Sequence, residues 1–280
     1  YEIRLSLVGS EMCIRDRALD DLIREGRRPK AVIAVHILGQ PADLGPVVEA
    51  CARHEVPLVE DAAEALGASY AATYPSPVCA GRQVGTIGAM GCFSFNGNKI
   101  ITTGGGGMIT TADPALARLL KHLSTQAKQP GMAFVHDRIG FNYRMPNLNA
   151  ALGLAQLASL PRFLTRKKAI ADAYRAACAP LGWTYHPQLP GTTSTHWLPS
   201  VVVGPRRDAV LATLTAAGIG ARPLWLPVAE QPCYRGARRW GGEIARRLAS
   251  QGISLPCSSH LGADDLARVI TALRHAATEA

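Results

Sequence analysis

Residues 31–61 read AVIAVHILGQPADLGPVVEACARHEVPLVED, and this stretch sets the fold class. Its ends, 31–37 and 57–60, are continuous apolar runs, the pattern of parallel strands covered on both faces. Between them 44–54 reads as a helix, which makes a strand-helix-strand unit of an α/β sheet. Asp61 stands just past the carboxyl end of the second strand, where open α/β sheets place their ligands. Taken alone, an Asp ahead of the helical run Ala-Ala-Glu-Ala-Leu is equally a good N-cap.

Downstream, residues 89–111 read AMGCFSFNGNKIITTGGGGMITT. Residues 92–95 form a short apolar and aromatic strand, Asn96-Gly97-Asn98 turns the chain, and Lys99 follows at the end of the turn. Four glycines at 104–107 then lead into a second apolar run at 108–111, which predicts another strand. A glycine run leaves a backbone free of side-chain bulk, suited to the close approach of a ligand or a second stretch of chain. A lysine on a turn is ordinarily a solvated cation. Set between two apolar strands, it becomes a usable amine nucleophile of the kind that forms Schiff bases. Neither a Gly-x-x-x-x-Gly-Lys-Ser/Thr loop nor a Gly-x-Gly-x-x-Gly turn is present.

Three motifs in order carry a family resemblance. Ser94-Phe95-Asn96-Gly97-Asn98-Lys99 with its glycine run resembles the lysine motif of the DegT-type nucleotide-sugar aminotransferases. Leu58 to Gly67 (LVEDAAEALG) resembles that family's acidic cofactor motif, and Asp137 to Met145 (DRIGFNYRM) its Gly-x-Asn-x-Arg-Met motif. The resemblance runs from about Lys30 to the C-terminus. It implies a fold type I pyridoxal 5'-phosphate transferase: a partial large domain with a mostly parallel sheet, and a small C-terminal α+β domain.

The resemblance also implies roles, residue by residue. Lys99 carries the cofactor as a Schiff base and moves protons. Asp61 faces the pyridine nitrogen and keeps the ring an electron sink. Glu64 is a cofactor contact at a place where the family more often has Gln or His. Ser94 donates to the phosphate, against the competing account of an ordinary strand serine. Asn142 reaches the phosphate of a neighbouring subunit, against a turn-forming asparagine, so the active site is expected across a homodimer interface. His196 matches a histidine facing the sugar nucleotide in relatives, with a half-buried strand histidine as the alternative. Arg222 could meet a diphosphate bidentately. The expected reaction is ping-pong amino transfer from an amino-acid donor, glutamate, to a sugar nucleotide. The Glu-Asp-Ala-Ala-Glu variant narrows the acceptor to a UDP-linked 4-keto-6-deoxy-N-acetylhexosamine of surface-polysaccharide or nonulosonate pathways, in a cytoplasmic enzyme.

Composition sets bounds on this reading. The chain has 280 residues, 48% hydrophobic and 18% charged, with 30 Lys and Arg against 21 Asp and Glu for a net charge of +9. It is long enough for one large or two modest cores. No apolar run approaches the roughly 18 residues of a membrane span. The seven cysteines are scattered and never spaced Cys-x-x-Cys, which argues against structural zinc and a disulfide framework. His54-Glu55 opens like a metalloprotease helix, but Leu58 stands where the second histidine is required. The basic charge prompts a nucleic-acid-binding regulatory module as an alternative. Dispersed arginines with no aromatic-interleaved tract argue against it. A sibling class of sugar 3-dehydratases shares cofactor and fold but has histidine in place of the lysine, and Lys99 argues against that too.

Residues 1–17, YEIRLSLVGSEMCIRDR, lack strand alternation joined to a turn and the layout of a signal peptide. SLVGSEMCIRDR resembles translated adapter read-through, so 1–17 is set apart as a non-native leader. This implies a chain that continues upstream, with a phosphate-binding turn and a ring-stacking aromatic that are missing here, and a catalytically impaired fragment as a further alternative. The remainder divides into a cofactor-binding domain at 18–160 and a small domain at 161–280. Helices are predicted at 18–25, 145–157, 161–181, 208–217, 244–251 and 264–277, and strands at 184–186, 196–203, 220–226 and 253–255.

Overall fold

The computed structural model describes the backbone of residues 2–5 and 12–279 and the side chains of 17–278. In chain order the first half comprises β1 (Glu2–Leu5), α1 (Met12–Arg24), β2 (Ala31–Val35), α2 (Leu44–Arg53), β3 (Leu58–Asp61), β4 (Ser69–Tyr70), β5 (Met90–Ser94), β6 (Gly107–Thr110) and α3 (Pro114–Ser124). The second half comprises α4 (Asn147–Ala158), α5 (Leu160–Cys178), β7 (Thr184–Tyr185), β8 (Thr192–Thr193), β9 (Ser200–Val202), α6 (Arg207–Ala216), β10 (Arg222–Pro223), α7 (Glu243–Gln251), β11 (Gly252–Ser254) and α8 (Ala263–Glu279).

The main sheet has the order β1-β2-β3-β5-β6, parallel from β1 to β5, with β6 antiparallel at the edge. Alternation along β2 and β3 sends Val32, Ala34, Leu58 and Glu60 to a fully buried face against α1 and α2, where Leu19, Leu44, Val47 and Cys51 complete one core. Each large apolar side chain so buried contributes about 1.5–3 kcal/mol. Ile33, Val59 and Asp61 point to the other face, which is only half-buried among the described residues. The apolar runs therefore describe two faces of unequal cover, and the less covered one holds the polar chemistry.

A second, antiparallel sheet of order β10-β11-β9-β7 packs with α5, α6 and α8 around Ile170, Tyr174, Leu214, Ile253 and Leu273. A third apolar cluster joins the two halves through Leu38, Phe95, Ile101, Phe163 and Trp197. Helix α5 starts in that joint and runs into the second core, so the expected boundary at 160/161 falls at the start of one continuous helix.

Several expectations are corrected. Helix α1 begins at Met12 rather than at 18, and Glu2–Leu5 pairs in parallel with residues 31–34 of β2. The strand expected at 220–226 shrinks to Arg222–Pro223, because Pro223 has no N–H to continue a ladder. The strand expected at 196–203 starts only at Ser200. Upstream of it, the Thr195 backbone N–H donates to Gly39 O and its hydroxyl to Glu64 O, which holds the chain to the first half instead of to a sheet. Helix α3 lies outside the expected elements, although Asp113-Pro114 supplies its cap: the Asp113 carboxylate accepts from Ala115 N at 2.7 Å, with Pro at the first turn.

Candidate active site

Strand β5 ends at Ser94, and the chain then loops through Lys99 and the glycines before returning as β6. The loop is closed at its base by Phe95 N donating to Gly106 O at 2.9 Å and Thr103 N to Phe95 O at 3.0 Å. Gly106 sits at φ +91°, a region that suits glycine. At Gly107 a Cβ would come within 2.3 Å of Phe93 O, so the hairpin can close only around a residue without a side chain. Lys99 N donates to Asn96 O at 3.0 Å, which fixes the turn expected there.

Lys99 Nζ lies 3.5 Å from Glu64 Oε1, with both side chains mostly shielded from solvent. The other oxygen, Glu64 Oε2, accepts from Leu38 N at 2.7 Å. That contact holds Leu38 at φ +58°, a conformation uncommon for a branched side chain. Burial raises the Glu64 carboxyl above the usual range, and nearby Asp61 adds to this, while Lys99 and the Leu38 amide pull the other way. On its second side Lys99 Nζ stands 4.3 Å from the ring centroid of Trp197. Trp197 Nε1 donates to Asn98 O at 2.8 Å, so one indole grips both the lysine and its turn. The backbone of Trp197 is held from below by the buried Lys167, whose Nζ donates to Trp197 O at 3.0 Å and Cys257 O at 2.9 Å.

Asp61 and Ser94 share a neighbouring cavity of about 320 Å³ lined by Ile33, Val59, Ala63, Cys92 and Phe93. It is a concave apolar site with few polar groups, one acid and one hydroxyl, as small-molecule sites commonly are. Asp61 Oδ1 accepts from Ala63 N at 3.1 Å, an Asx turn rather than a cap: residues 62–67 form turns and not the expected helix, and Asp61 lines the cavity. Ser94 Oγ accepts from Asn96 N at 3.3 Å, which leaves its own hydrogen available to donate.

The remaining expected residues are placed elsewhere. Asn142 is exposed and pairs across an isolated bridge with Thr125, outside the cavity. His196, at φ +48°, is buried in the second half beside Tyr185 and His186; Tyr185 Oη lies 3.4 Å from its Nδ1. Burial lowers its imidazole to about 4, and it lies off any strand and more deeply buried than the half-buried strand histidine weighed as the alternative. Arg222 is exposed on β10, and its Nη1 donates to Ala221 O.

Two residues that support the site lie outside the motif roles assigned above. One is Trp197, adjacent to a histidine that drew attention instead. The other is Glu60, which lies on the opposite face of β3 from Asp61. Its Oε2 accepts from Gly85 N at 2.7 Å and faces His36 Nε2 at 3.1 Å; its Oε1 accepts from Ile87 N at 2.6 Å and Gly88 N at 2.7 Å. His36 Nδ1 accepts from Ala42 N at 3.0 Å, which assigns the ring proton to Nε2, donated to Glu60. Glu60 thereby ties β2 and β3 to the loop that feeds β5. Burial alone would raise its carboxyl, but hydrogen bonds from His36, Gly88 and Gly85 outweigh this and hold it below the usual range. A glutamate beside an aspartate, followed by glycines at 85 and 88, was the available signal.

Residues 8–274 match the sequence profile of the DegT/DnrJ/EryC1/StrS aminotransferase family. The chain belongs to this family. EpsN of Bacillus subtilis is 38% identical over 267 residues, 93% of this chain and 66% of that protein. A GDP-perosamine synthase of Caulobacter vibrioides is 38% identical over 252 residues, 88% of this chain and 66% of that protein. A DegT DnrJ EryC1 StrS aminotransferase from Brucella abortus shares the fold with a TM-score of 0.84 at 26% identity, over 94% of this chain and 69% of that one. The chain spans about two thirds of the length of the curated relatives it matches. Aminotransferases of the DegT family work with pyridoxal phosphate, and the α/β fold with its mixed sheet agrees with that membership. Among the described residues, no helix is long and apolar enough to cross a membrane.

Proposed function

We propose that the protein is a pyridoxal phosphate-dependent aminotransferase that moves an amino group from an amino-acid donor, glutamate, to a keto sugar carried on a nucleoside diphosphate. The observation that carries this reading is a shielded lysine on the loop that follows β5, five residues after Ser94, and an apolar cavity at the ends of β3 and β5 that presents one carboxylate and one hydroxyl. These groups fit the three handles of the cofactor: Lys99 for the aldehyde, Asp61 for the ring nitrogen, Ser94 for the phosphate. Bound there, the cofactor supplies a carbonyl that accepts amino groups and a ring that withdraws electrons from the carbon losing its proton. Asp61 holds a proton on the ring nitrogen. Lys99, once its amine is free, would take the proton from the donor's α-carbon and give it to the cofactor's aldehyde carbon, and with the keto sugar it would run the same transfer in reverse. Glu64 pairs with the lysine's charge and, together with the Trp197 ring, holds Nζ in place.

Relatives whose names specify GDP- and dTDP-linked sugars widen the acceptor beyond the UDP-linked N-acetylated sugar that the Glu64 variant favours. The deciding experiment is borohydride reduction of the protein incubated with pyridoxal phosphate, followed by peptide mass spectrometry. A cofactor mass on Lys99 supports the reading, and a mass on any other lysine, or on none, ends it. Glutamate with UDP-, GDP- and dTDP-linked 4-keto-6-deoxyhexoses then identifies the acceptor.

The shared active site expected from Asn142 has support in the surface around it. Helix α4 has no buried residue, and Leu148 is 86% exposed and Phe134 83%, in a run with Met132, Ile139 and Tyr143. An apolar surface of this extent marks an interface, and a second copy would bring Asn142 to the cofactor phosphate of its partner. Sedimentation should show a dimer. The double change Phe134→Asp and Leu148→Asp should give a folded monomer that retains cofactor at least about tenfold less tightly; unchanged cofactor retention by such a monomer would remove Asn142 from the site.

A further inference from the structure

Trp225 is 49% exposed and stacks on Trp197, with ring centroids 6.0 Å apart and planes at 30°. Trp197 in turn holds Lys99 Nζ 4.3 Å from its own ring centroid. The two contacts place the Trp225 ring no further than about 10 Å from the reactive amine. Leu226, Val228 and Tyr234, which follow it in the chain, are also exposed. A large indole left in water forfeits part of its burial energy, and one already stacked loses little further freedom when its open surface is covered.

We propose that Trp225 receives the apolar face of the acceptor's hexose ring, with its C6 methyl, and thereby selects 6-deoxy sugars. The inference rests on the sugar-nucleotide reading above. That upper bound keeps Trp225 within reach of a hexose presented to Lys99, whereas the nucleobase lies beyond a diphosphate and a ribose. A methyl group packs on indole and Leu226 without penalty. A C6 hydroxyl there would be desolvated against carbon, a discrimination that apolar sites deliver at about 10- to 100-fold.

The test compares binding of two matched pairs, GDP-mannose against GDP-6-deoxymannose and UDP-glucose against UDP-6-deoxyglucose, by calorimetry. The proteins are the wild type, Trp225→Phe and Trp225→Ala, each first shown to fold by circular dichroism. The expected result is a wild-type preference for the 6-deoxy member of a pair, lost in Trp225→Ala with about tenfold weaker binding and largely restored in Trp225→Phe. With the keto acceptor, KM rises in Trp225→Ala more than kcat falls. Binding with an equal preference in wild type and Trp225→Ala overturns the assignment of Trp225 alone. Binding of no sugar nucleotide to the wild type overturns both this inference and the reading on which it rests.

Discussion

Lys99→Ala is expected to abolish amino transfer, with kcat down by at least about 10³-fold, since it removes both the covalent attachment point and the group that moves the proton. The loss of activity is chemical, beyond any loss of stability. Nζ makes no buried hydrogen bond that the fold depends on; its described partners are the Glu64 carboxylate and the Trp197 ring. Thermal stability should fall by about 1–3 kcal/mol, because the shielded Glu64 carboxylate loses its ion-pair partner but keeps the Leu38 amide. Borohydride should leave no cofactor on the protein, and glutamate should no longer bleach the cofactor band. Lys99→Arg should be as inactive as the alanine variant, because guanidinium keeps the charge facing Glu64 but is never deprotonated. Appreciable turnover by either variant would exclude Lys99 as the reacting amine.

Glu60→Ala is expected to cost about 3–5 kcal/mol of folding stability, the penalty for removing one side of a buried charged network. Gly85, Ile87 and Gly88 would each keep a buried N–H without its acceptor, and His36 would lose its partner on Nε2. Glu60→Gln should recover part of this, because its amide oxygen still accepts two of the N–H groups while its NH₂ faces donors. Urea denaturation measures both. The pH dependence has a definite sign. The folded carboxyl is depressed below its ordinary value of 4.5, so its contribution is complete above about that pH and disappears as the pH falls through the lower folded value. The stability gap between wild type and Glu60→Gln should accordingly narrow below pH 4.5 and stay constant above it. A gap that persists into strong acid would show that the network acts through packing and not through charge.

Much of this was written in local chemistry. The strand-helix-strand pattern of 31–61 places Asp61 at a carboxyl end because alternation and helical spacing are properties of neighbouring residues. The 96–99 turn and the glycines announce a hairpin that presents Lys99 for the same reason. Helix α3, outside the expected elements, also carries its cap locally at Asp113-Pro114. The failures share another cause. Residues 194–197 have strand-like composition, yet Thr195 bonds to Gly39 and Glu64, residues more than 130 positions away in the chain. His196 and Trp197 consequently point in opposite directions, one into the core of the second half and the other onto the reactive lysine.

The sequence by itself determined the α/β class, the turn that carries the lysine, and the acid at the end of β3, because each depends on residues within one or two elements of each other. Only the tertiary structure decided which aromatic ring covers Lys99, which carboxylate pairs with it, and that Glu60 and Asp61 serve opposite faces of one strand. Those outcomes depend on contacts between segments distant in the chain, where the cost of an unpaired buried group selects the partner and no local pattern records it.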